Sequence, residues 1–260
     1  MEFNHKPVLL TECITGLNIK PDGIYVDGTM GGAGHSKKII EQLSINGRLI
    51  GIDRDLEALE TAKSRLKEYP NVTYVHGNHD DIKQILEDLK IDKVDGILLD
   101  LGVSSYQIDE KQRGFSYMQD SLLDMRMDQT QSLTAQEVVN TYPEEMLASI
   151  IYEYGEERFS RQIAKKICEE RRKKEIETTK ELVEIIKKAV PHYDKNAGHP
   201  AKRTFQAIRI EVNDEIKPLK NTVKQAIECL KPNGRLCIIT FHSLEDRAVK
   251  IAYQEAFRKM

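Results

Sequence analysis

The chain has 260 residues, of which 40% are hydrophobic and 31% are charged, and its formal net charge is −3. This composition is typical of a globular protein with one large domain or a core domain carrying a smaller insertion, and it excludes an extensively disordered chain. The small negative charge gives no overall positive field, so a nucleic-acid partner would have to be bound by a local basic patch.

The N-terminal residues and the cysteines indicate a cytoplasmic protein. The opening residues, MEFNHKPVLL, lack the basic start, apolar core and cleavage site of a signal peptide. Nowhere do about 18 apolar residues run together, as a membrane span requires. The cysteines form no CxxC pair and no metal-ligand spacing, so we expect packing thiols, no disulfide and no metal site. They are Cys13, Cys168, Cys229 and Cys237.

Short apolar runs alternate with helix-period segments in the first hundred or so residues, which is typical of βαβ units. The predicted strands are Ile24–Asp27, Arg48–Asp53, Val72–Val75 and Val94–Asp100. The predicted helices between them cover residues 35–43, 56–67 and 81–89. Strands that alternate with helices predict a parallel sheet with helices on both faces.

After Asp100 the alternation stops, and residues 107–207 are polar, helix-biased and poor in strand signals. We interpret them as an inserted helical domain, which leaves residues 1–106 and 208–260 as the core. Thr134 with Glu137 predicts a capping box, and two further segments, EERFSRQIAKKICEERRKK and TTKELVEIIKKAV, are helical in period. The core pattern then resumes with a helix over residues 215–230, a turn at KPNG and a fifth strand, RLCIITF.

The glycine-rich stretch VDGTMGGAGHS follows the first predicted strand and indicates a ligand-binding turn. It is not the GxGxxG turn of dinucleotide-binding proteins, because Met30 and Lys37 occupy glycine positions of that motif, and no P-loop sequence is present. A ligand without a phosphate is therefore favoured. Asp53 ends the second strand, where α/β folds place an acid that binds a ribose; its alternative is a helix cap within DRD. A glycine turn that holds no phosphate, next to an acid that binds a ribose, fits S-adenosylmethionine.

Two further polar residues follow the next two strands. His79 and Asp100 are expected near the carboxyl ends of strands three and four, where open α/β sheets bind ligands. For His79 the alternative is a solvated loop residue. Asp100 ends a buried strand, and a carboxylate buried there without a partner would cost several kcal/mol.

The longer motifs resemble one bacterial family, the ribosomal RNA small subunit methyltransferases H. The matching phrases are DGTMGGAGHS, GIDRD, VDGILLDLGVSS, RGFSY, LDMRMD, YGEERFSRQIA, HPAKRTFQAIRIEVN and GRLCIITFHSLEDR. The resemblance implies a class I S-adenosylmethionine-dependent methyltransferase sheet, Rossmann-like, with a helical domain inserted after the fourth strand. It also implies methylation of the N4 exocyclic amine of a cytidine in 16S ribosomal RNA.

The resemblance implies a set of cofactor-binding residues. They are Ala33, Gly34, His35, Asp53, His79, Asp100 and Gln107. Family members often carry an aromatic residue where His79 stands, and many read SSPQLD where this chain reads SSYQID, so the turn at Tyr106 departs from the pattern. A class I sheet usually has two more strands after the fifth, so we expect the C-terminal strands to be missing from a chain that stops at Met260.

The reacting groups are harder to assign. DNA amino-methyltransferases carry an Asp/Asn/Ser-Pro-Pro-aromatic motif after strand four, whereas this chain reads DLGV. Asp100 is the candidate carboxylate for the amine, and the segment FHSLEDR is expected to line the other side of the pocket through His242, Ser243, Glu245 and Asp246. The alternative for that segment is a helix cap at Ser243. The catalytic proton acceptor stays unassigned.

A base within a duplex cannot reach a pocket at the top of a sheet, so the target base is expected to be single-stranded or flipped out. The inserted domain is expected to supply the RNA contacts. The run KKICEERRKK is favoured as a solvated helix face. The segment HPAKRTFQAIR combines basic residues with Phe205, and so predicts a stacking surface beside phosphate contacts. Its basic members are His199, Lys202, Arg203 and Arg209.

Two other functions stay open at this stage. A nicotinamide oxidoreductase is disfavoured by the broken GxGxxG motif. A non-catalytic module that binds RNA or the small ribosomal subunit and keeps the methyltransferase fold is the other alternative. The sequence leaves the oligomeric state undecided, with a dimer among the alternatives.

Overall fold

A computed structural model describes residues 7–104, 107–108, 110–190 and 198–258 of the chain. The chain divides into two compact units: residues 1–102 with 216–260 form the first, and residues 103–215 form the second. The predicted boundary after residue 207 falls inside the continuous helix Lys202–Asn213, and the structural division comes after Glu215 instead.

The first unit is built on a parallel sheet. In the described part of the chain its strands are β1 (Ile24–Asp27), β2 (Arg48–Asp53), β3 (Val72–His76), β4 (Val94–Asp100) and β5 (Leu230–Ile239). Their order is β3-β2-β1-β4-β5, and each neighbouring pair is parallel. The predicted α/β class with a parallel sheet is confirmed. Since all strands run the same way, their carboxyl ends lie at one edge of the sheet, where α/β proteins bind ligands.

The central strands are buried because helices cover both faces. The first six residues of β4 are buried, and β1 is buried from Tyr25 to Asp27. A parallel strand covered on both sides reads as a continuous apolar run, which is why the sequence predicted the bounds of β1, β2 and β4 correctly.

The helices are numbered in chain order. They are α1 (Leu10–Leu17), α2 (Gly34–Ile40), α3 (Leu56–Arg65), α4 (Ile82–Asp88), α5 (Ala135–Thr141), α6 (Glu144–Gly155), α7 (Ser160–Arg171), α8 (Thr179–Ala189), α9 (Lys202–Asn213), α10 (Leu219–Glu228) and α11 (Ser243–Phe257). Short 3₁₀ helices cover His79–Asp81 and Lys111–Arg113. Helices α2, α3 and α4 end earlier than predicted. After α2, for example, Leu43 donates to the Ile40 carbonyl in a turn that continues the apolar spacing beyond the helix.

Strand β5 begins earlier than predicted and contains a bulge. Val94 pairs with Leu230, but Gly96 pairs with Arg235, so residues 231–234 project from the ladder. The bulge is the KPNG segment that the sequence predicted as a turn between helix and strand. Its Asn233 has a φ of 65°, and the Lys231 ammonium lies 2.7 Å from the Asp95 carboxylate on β4.

The second unit has its own apolar core, packed between helices α5 to α9. Its fully buried members include Leu147, Ile151, Ile163, Ile186 and Ile208. Side chains also fix the helix starts: the Thr134 hydroxyl accepts from the Glu137 N–H at 3.1 Å, as predicted. The full reciprocal capping box is found at Thr178 and Glu181, at the start of α8.

No helix in the described residues has both the length and the apolar character needed to cross a membrane. The four cysteines pack as predicted: Cys13, Cys168 and Cys229 are buried, Cys237 is half-buried, and each carries a free thiol.

Candidate active site

The turn after β1 is fixed by a buried carboxylate. Asp27 ends β1 with 1% of its surface exposed, and its Oδ2 accepts a hydrogen bond from the Ser36 hydroxyl at 2.7 Å. Its Oδ1 accepts from the Thr29 N–H at 3.2 Å. Burial raises the pKa of Asp27, and the bond from Ser36 opposes that rise. Asp27 therefore holds both ends of the glycine turn to the strand, a role the sequence did not reveal.

Three of the predicted cofactor residues start helix α2. Ala33 has a φ of 64°, a left-handed conformation unusual for a residue with a Cβ, and it is buried together with His35. Its N–H donates to the Met30 carbonyl at 2.9 Å. The His35 Nε2 donates to the Val8 carbonyl at 2.9 Å. Ala33, Gly34 and His35 thus lie at the same edge of the sheet as the strand ends.

The turn also docks on β2. The Met30 N–H donates to the Ile52 carbonyl at 2.9 Å, and the Met30 side chain, 2% exposed, occupies the space beside Gly51. A Cβ on Gly51 would overlap the Met30 thioether. Met30, which breaks the dinucleotide motif in the sequence, is therefore a packing residue.

Asp53 links the turn to the start of α3. Its Oδ2 accepts from the Gly31 N–H at 2.7 Å, and its Oδ1 accepts from the Asp55 N–H at 2.8 Å. The helix-cap alternative for Asp53 is wrong, because Asp55 caps α3 by accepting from the Glu57 N–H at 3.1 Å. Each carboxylate oxygen of Asp53 has a second lone pair, which a sugar hydroxyl can use. Burial raises the pKa of Asp53 to about 6, and the bonds from Asp55 and Gly31 oppose that rise.

His79 opens the 3₁₀ helix after β3, and 16% of its side chain is exposed. Burial lowers its pKa to about 4, so the imidazole is neutral at pH 7. The next residue, Asp80, anchors this loop to α10. Its carboxylate accepts a hydrogen bond from the Thr222 hydroxyl, and its backbone carbonyl accepts one from the Gln225 side-chain amide at 2.9 Å. His79 is thus an ordered residue, and the solvated-loop alternative is wrong.

Asp100 ends β4 with 26% of its side chain exposed. Its N–H donates to the Thr29 hydroxyl at 2.6 Å, its Oδ2 lies 3.7 Å from His35 Nδ1, and its buried Oδ1 has no hydrogen-bond partner. Burial raises the pKa of Asp100 to about 6; His35 opposes this rise, and Asp27 and Glu245 add to it. A buried acceptor without a partner is uncommon, and a ligand that donates a hydrogen bond would satisfy it.

The segment after β5 is held by an internal carboxylate. Glu245 is 1% exposed, and its Oε2 accepts from the Phe241 N–H at 2.7 Å, while its Oε1 lies 3.2 Å from His242 Nε2. His242 caps α11 by accepting from the Glu245 N–H at 3.5 Å, so the helix-cap alternative applies to His242 and not to Ser243. Asp246 pairs with Lys250 along the helix at 2.8 Å.

Gln107 belongs to the second unit. It is buried, its Oε1 accepts from the Ser104 N–H at 3.1 Å, and its own N–H donates to the Ser104 hydroxyl at 3.2 Å. Its neighbour Tyr106, where the sequence departs from the family pattern, lies outside the described residues. The role of Gln107 in cofactor binding therefore stays a prediction.

The predicted stacking surface on the second unit is wrong in one residue. Phe205 is 3% exposed and belongs to the apolar core, because it lies on the inner face of α9. The ring of Tyr117 packs edge-on against Phe205 and stacks on His199, with centroids 4.6 Å apart. The sequence showed the basic neighbours of Phe205 but not the direction in which its ring points.

The charged run on α7 agrees with a solvated helix face. Lys166 lies 3.1 Å from Glu169 and 3.3 Å from Glu170, and Lys173 lies 3.0 Å from Glu170. Among the residues the structure describes, no group of three His, Cys, Asp or Glu side chains is placed to hold a metal ion.

Residues that the sequence did not single out also shape the site. Thr29 joins the glycine turn to β4 through Asp100, yet a threonine after a glycine carries no particular signal. Phe241, which follows β5, is 53% exposed. The sequence feature that could have identified it is an aromatic residue directly before a helix cap.

The parallel sheet, the glycine turn after β1 and the acid after β2 have the arrangement expected of a class I S-adenosylmethionine-dependent methyltransferase. The open lone pairs of Asp53 and the unpartnered Asp100 Oδ1 fit such a cofactor, and S-adenosylmethionine is the cofactor of this class.

The particular family follows from the whole chain. Residues 2–260 match the model of the MraW methylase family, and the chain belongs to that family. It is 60% identical over 255 residues to a ribosomal RNA small subunit methyltransferase H of Clostridium botulinum, strain Kyoto, covering 98% of this chain and 82% of the relative. A protein of the same name from Clostridioides difficile is 57% identical over 256 residues, with the same coverage.

Proposed function

We propose that this protein transfers a methyl group from S-adenosylmethionine to the N4 exocyclic amine of a cytidine in 16S ribosomal RNA. The observation that carries the proposal is the group of strand-end carboxylates around the glycine turn, combined with membership of a methylase family. The relatives named above act on small-subunit ribosomal RNA, which supports the same target here.

The geometry of the first unit supports the proposed cofactor contacts. The Asp53 carboxylate accepts the ribose hydroxyls through its remaining lone pairs. His79 is neutral and mostly buried, so its ring offers a flat face and one hydrogen bond to the adenine without adding charge. Ala33, Gly34 and His35 line the turn. Gln107 completes the proposed set by resemblance.

Asp100 is the residue that we expect to face the reacting amine. S-adenosylmethionine supplies a methyl group bound to a positively charged sulfur. The cytidine nitrogen is a poor nucleophile because its lone pair is delocalised into the ring, so an aligned approach contributes most of the rate. A carboxylate with a pKa of about 6 is largely ionised at pH 7, and it can hold an N–H and accept the proton that the methylated amine releases.

The test uses the protein and small ribosomal subunits from cells that lack it. Labelled cofactor should place one methyl group on 16S ribosomal RNA, and mass mapping should identify N4-methylcytidine at one position. The matched control is Asp53→Ala, which should bind the cofactor weakly. Labelled RNA in which the methyl group lies on another atom would contradict the N4 assignment, and no transfer by a folded, cofactor-binding protein would contradict catalysis.

A further inference from the structure

The exposed ring of Phe241 lies at the carboxyl end of the sheet. Phe241 follows β5, and 53% of its surface is exposed. Single exposed apolar residues are common and need no explanation by themselves. Phe241 differs from an ordinary surface residue in what supports it and in what lies beside it.

A buried carboxylate supports its backbone. The Phe241 N–H donates to Glu245 Oε2 at 2.7 Å, and Glu245 is 1% exposed. Its other oxygen lies 3.2 Å from His242 Nε2. Burying a carboxylate is costly unless it accepts hydrogen bonds, so the bond from the Phe241 N–H holds the backbone that carries the ring against Glu245.

The residue that follows the neighbouring strand adds no side chain against the ring. Asp100 on β4 pairs in register with Ile239 on β5, so Gly102 and Phe241 each follow their strand by the same distance along the chain. Gly102 has a φ of +87°, which favours glycine, and a Cβ there would lie 3.5 Å from Phe241 Cδ2 and 3.7 Å from Glu245 Oε1. The loop after β4 therefore places no side chain at this point beside the ring.

We propose that Phe241 is the surface on which the unpaired target cytosine stacks, with its exocyclic amine directed to Asp100. This inference rests on the proposed function. A base taken out of its helix is held by stacking on aromatic side chains and by hydrogen bonds to its edge. The Asp100 carboxylate has 26% of its side chain exposed, and it can accept an N–H from the amine. The segment after β5 thus supplies the aromatic ring that the DLGV sequence after β4 does not.

The test compares three substitutions of Phe241 in the full chain. Phe241→Ala removes the ring, Phe241→Leu keeps apolar volume without an aromatic face, and Phe241→Tyr keeps the face. Phe257→Ala, at an exposed phenylalanine late in α11, is the matched control. The measurement is the single-turnover rate of methyl transfer to small-subunit RNA at saturating cofactor, together with the cofactor affinity by calorimetry.

Loss of stacking on one base predicts a rate about five- to 150-fold lower for Phe241→Ala. We expect Phe241→Leu to be similarly slow, Phe241→Tyr to stay within about threefold of the unsubstituted protein, and the affinity for the cofactor to change less than about twofold throughout. A Phe241→Leu protein as fast as the unsubstituted one would overturn the stacking role, as would a loss of cofactor affinity that accounts for the slower rate. Failure of the unsubstituted protein to transfer a methyl group contradicts the proposed function instead.

Discussion

Three carboxylates of the first unit lie largely buried where parallel strands end, whereas helix α8 of the second unit carries charged side chains that pair over short distances on its surface. Asp27, Asp53 and Asp100 have raised pKa values because burial disfavours their charged forms. On the second unit, Lys187 and Glu184 lie 2.9 Å apart on an exposed face of α8, where such a pair contributes little.

This difference indicates where each unit gains and loses stability. Burying the charged forms of these carboxylates costs stability in the first unit, and we propose that Asp53 and Asp100 serve binding and chemistry there. The second unit instead combines an apolar core with capped helices, so its stability depends on packing. Substitutions should therefore separate the two units by what they change: ligand affinity and pH response in the first, and free energy of unfolding in the second.

The largest expected effect is on packing in the second unit. Phe205→Ala should lower the free energy of unfolding of this unit by about 3–5 kcal/mol, because it leaves a cavity between α9 and its neighbours. Hydrogen exchange of the α6 and α9 amides measures the loss, and Lys202→Ala on the exposed face of α9 is the control. Normal stability combined with weaker RNA binding would show that Phe205 is a contact surface after all.

The next effect concerns the ribose contact of the first unit. Asp53→Ala should weaken cofactor binding by about 1.5–3 kcal/mol, or about ten- to 150-fold, because hydrogen bonds to a charged acceptor are lost. The control is Asp55→Ala, which removes the cap of α3 and should cost about 1 kcal/mol of stability with little change in affinity. Calorimetry measures the cofactor affinity of each variant. Equal affinities in the two variants would contradict the proposed contact between Asp53 and the ribose.

A smaller effect should appear in the pH dependence of stability without cofactor. The pKa of Asp100 is about 6 in the folded protein, whereas the ordinary value for an aspartate, taken for the unfolded chain, is 3.8. The folded state therefore binds the proton more tightly. Its contribution to stability is present below about pH 4 and is lost as the pH rises through about 6. Full linkage would be about 3 kcal/mol, and the partial exposure of the side chain reduces the expected loss to about 1–2 kcal/mol.

Asp100→Asn has no such titration. Its stability relative to the unsubstituted protein should therefore increase between pH 4 and about pH 7, as measured by denaturant unfolding at each pH. Parallel stability curves for the two proteins would show that Asp100 keeps an ordinary pKa.

The smallest expected effect is again in the second unit. Thr178→Ala removes the capping box at the start of α8 and should cost about 1 kcal/mol in its local unfolding free energy. Hydrogen exchange of the first α8 amides is the measurement. Lys187→Ala removes only a surface ion pair and should change this local unfolding free energy by less than about 0.5 kcal/mol. Similar losses in the two variants would show that the capping box does not stabilise α8.

The sheet was largely predictable from sequence because buried apolar runs ending in Asp define β1, β2 and β4. The start of β5 was not, since the bulge at residues 231–234 depends on Lys231 reaching Asp95 on another strand. Contacts between distant residues of this kind leave no local pattern.

The candidate site shows the same limit. Sequence placed Asp53, His79 and Asp100 after their strands, and the structure brings them to one edge of the sheet. It could not distinguish Asp53 from Asp55 as the helix cap, because both carboxylates fit the spacing and only the bond from the Glu57 N–H to Asp55 identifies the cap. The direction of the Phe205 ring likewise depended on the tertiary packing of α9.

The contact between Met30 and Gly51 has an evolutionary consequence. Because the thioether fills the volume that a second side chain would need, neither position can vary alone without disturbing the turn or the strand beneath it. A larger residue at position 51 requires the Met30 side chain to move or to be replaced by a smaller one. Descendants of this sequence should therefore inherit or exchange the two as a pair, and a library that randomises one position alone will recover mainly the original residue.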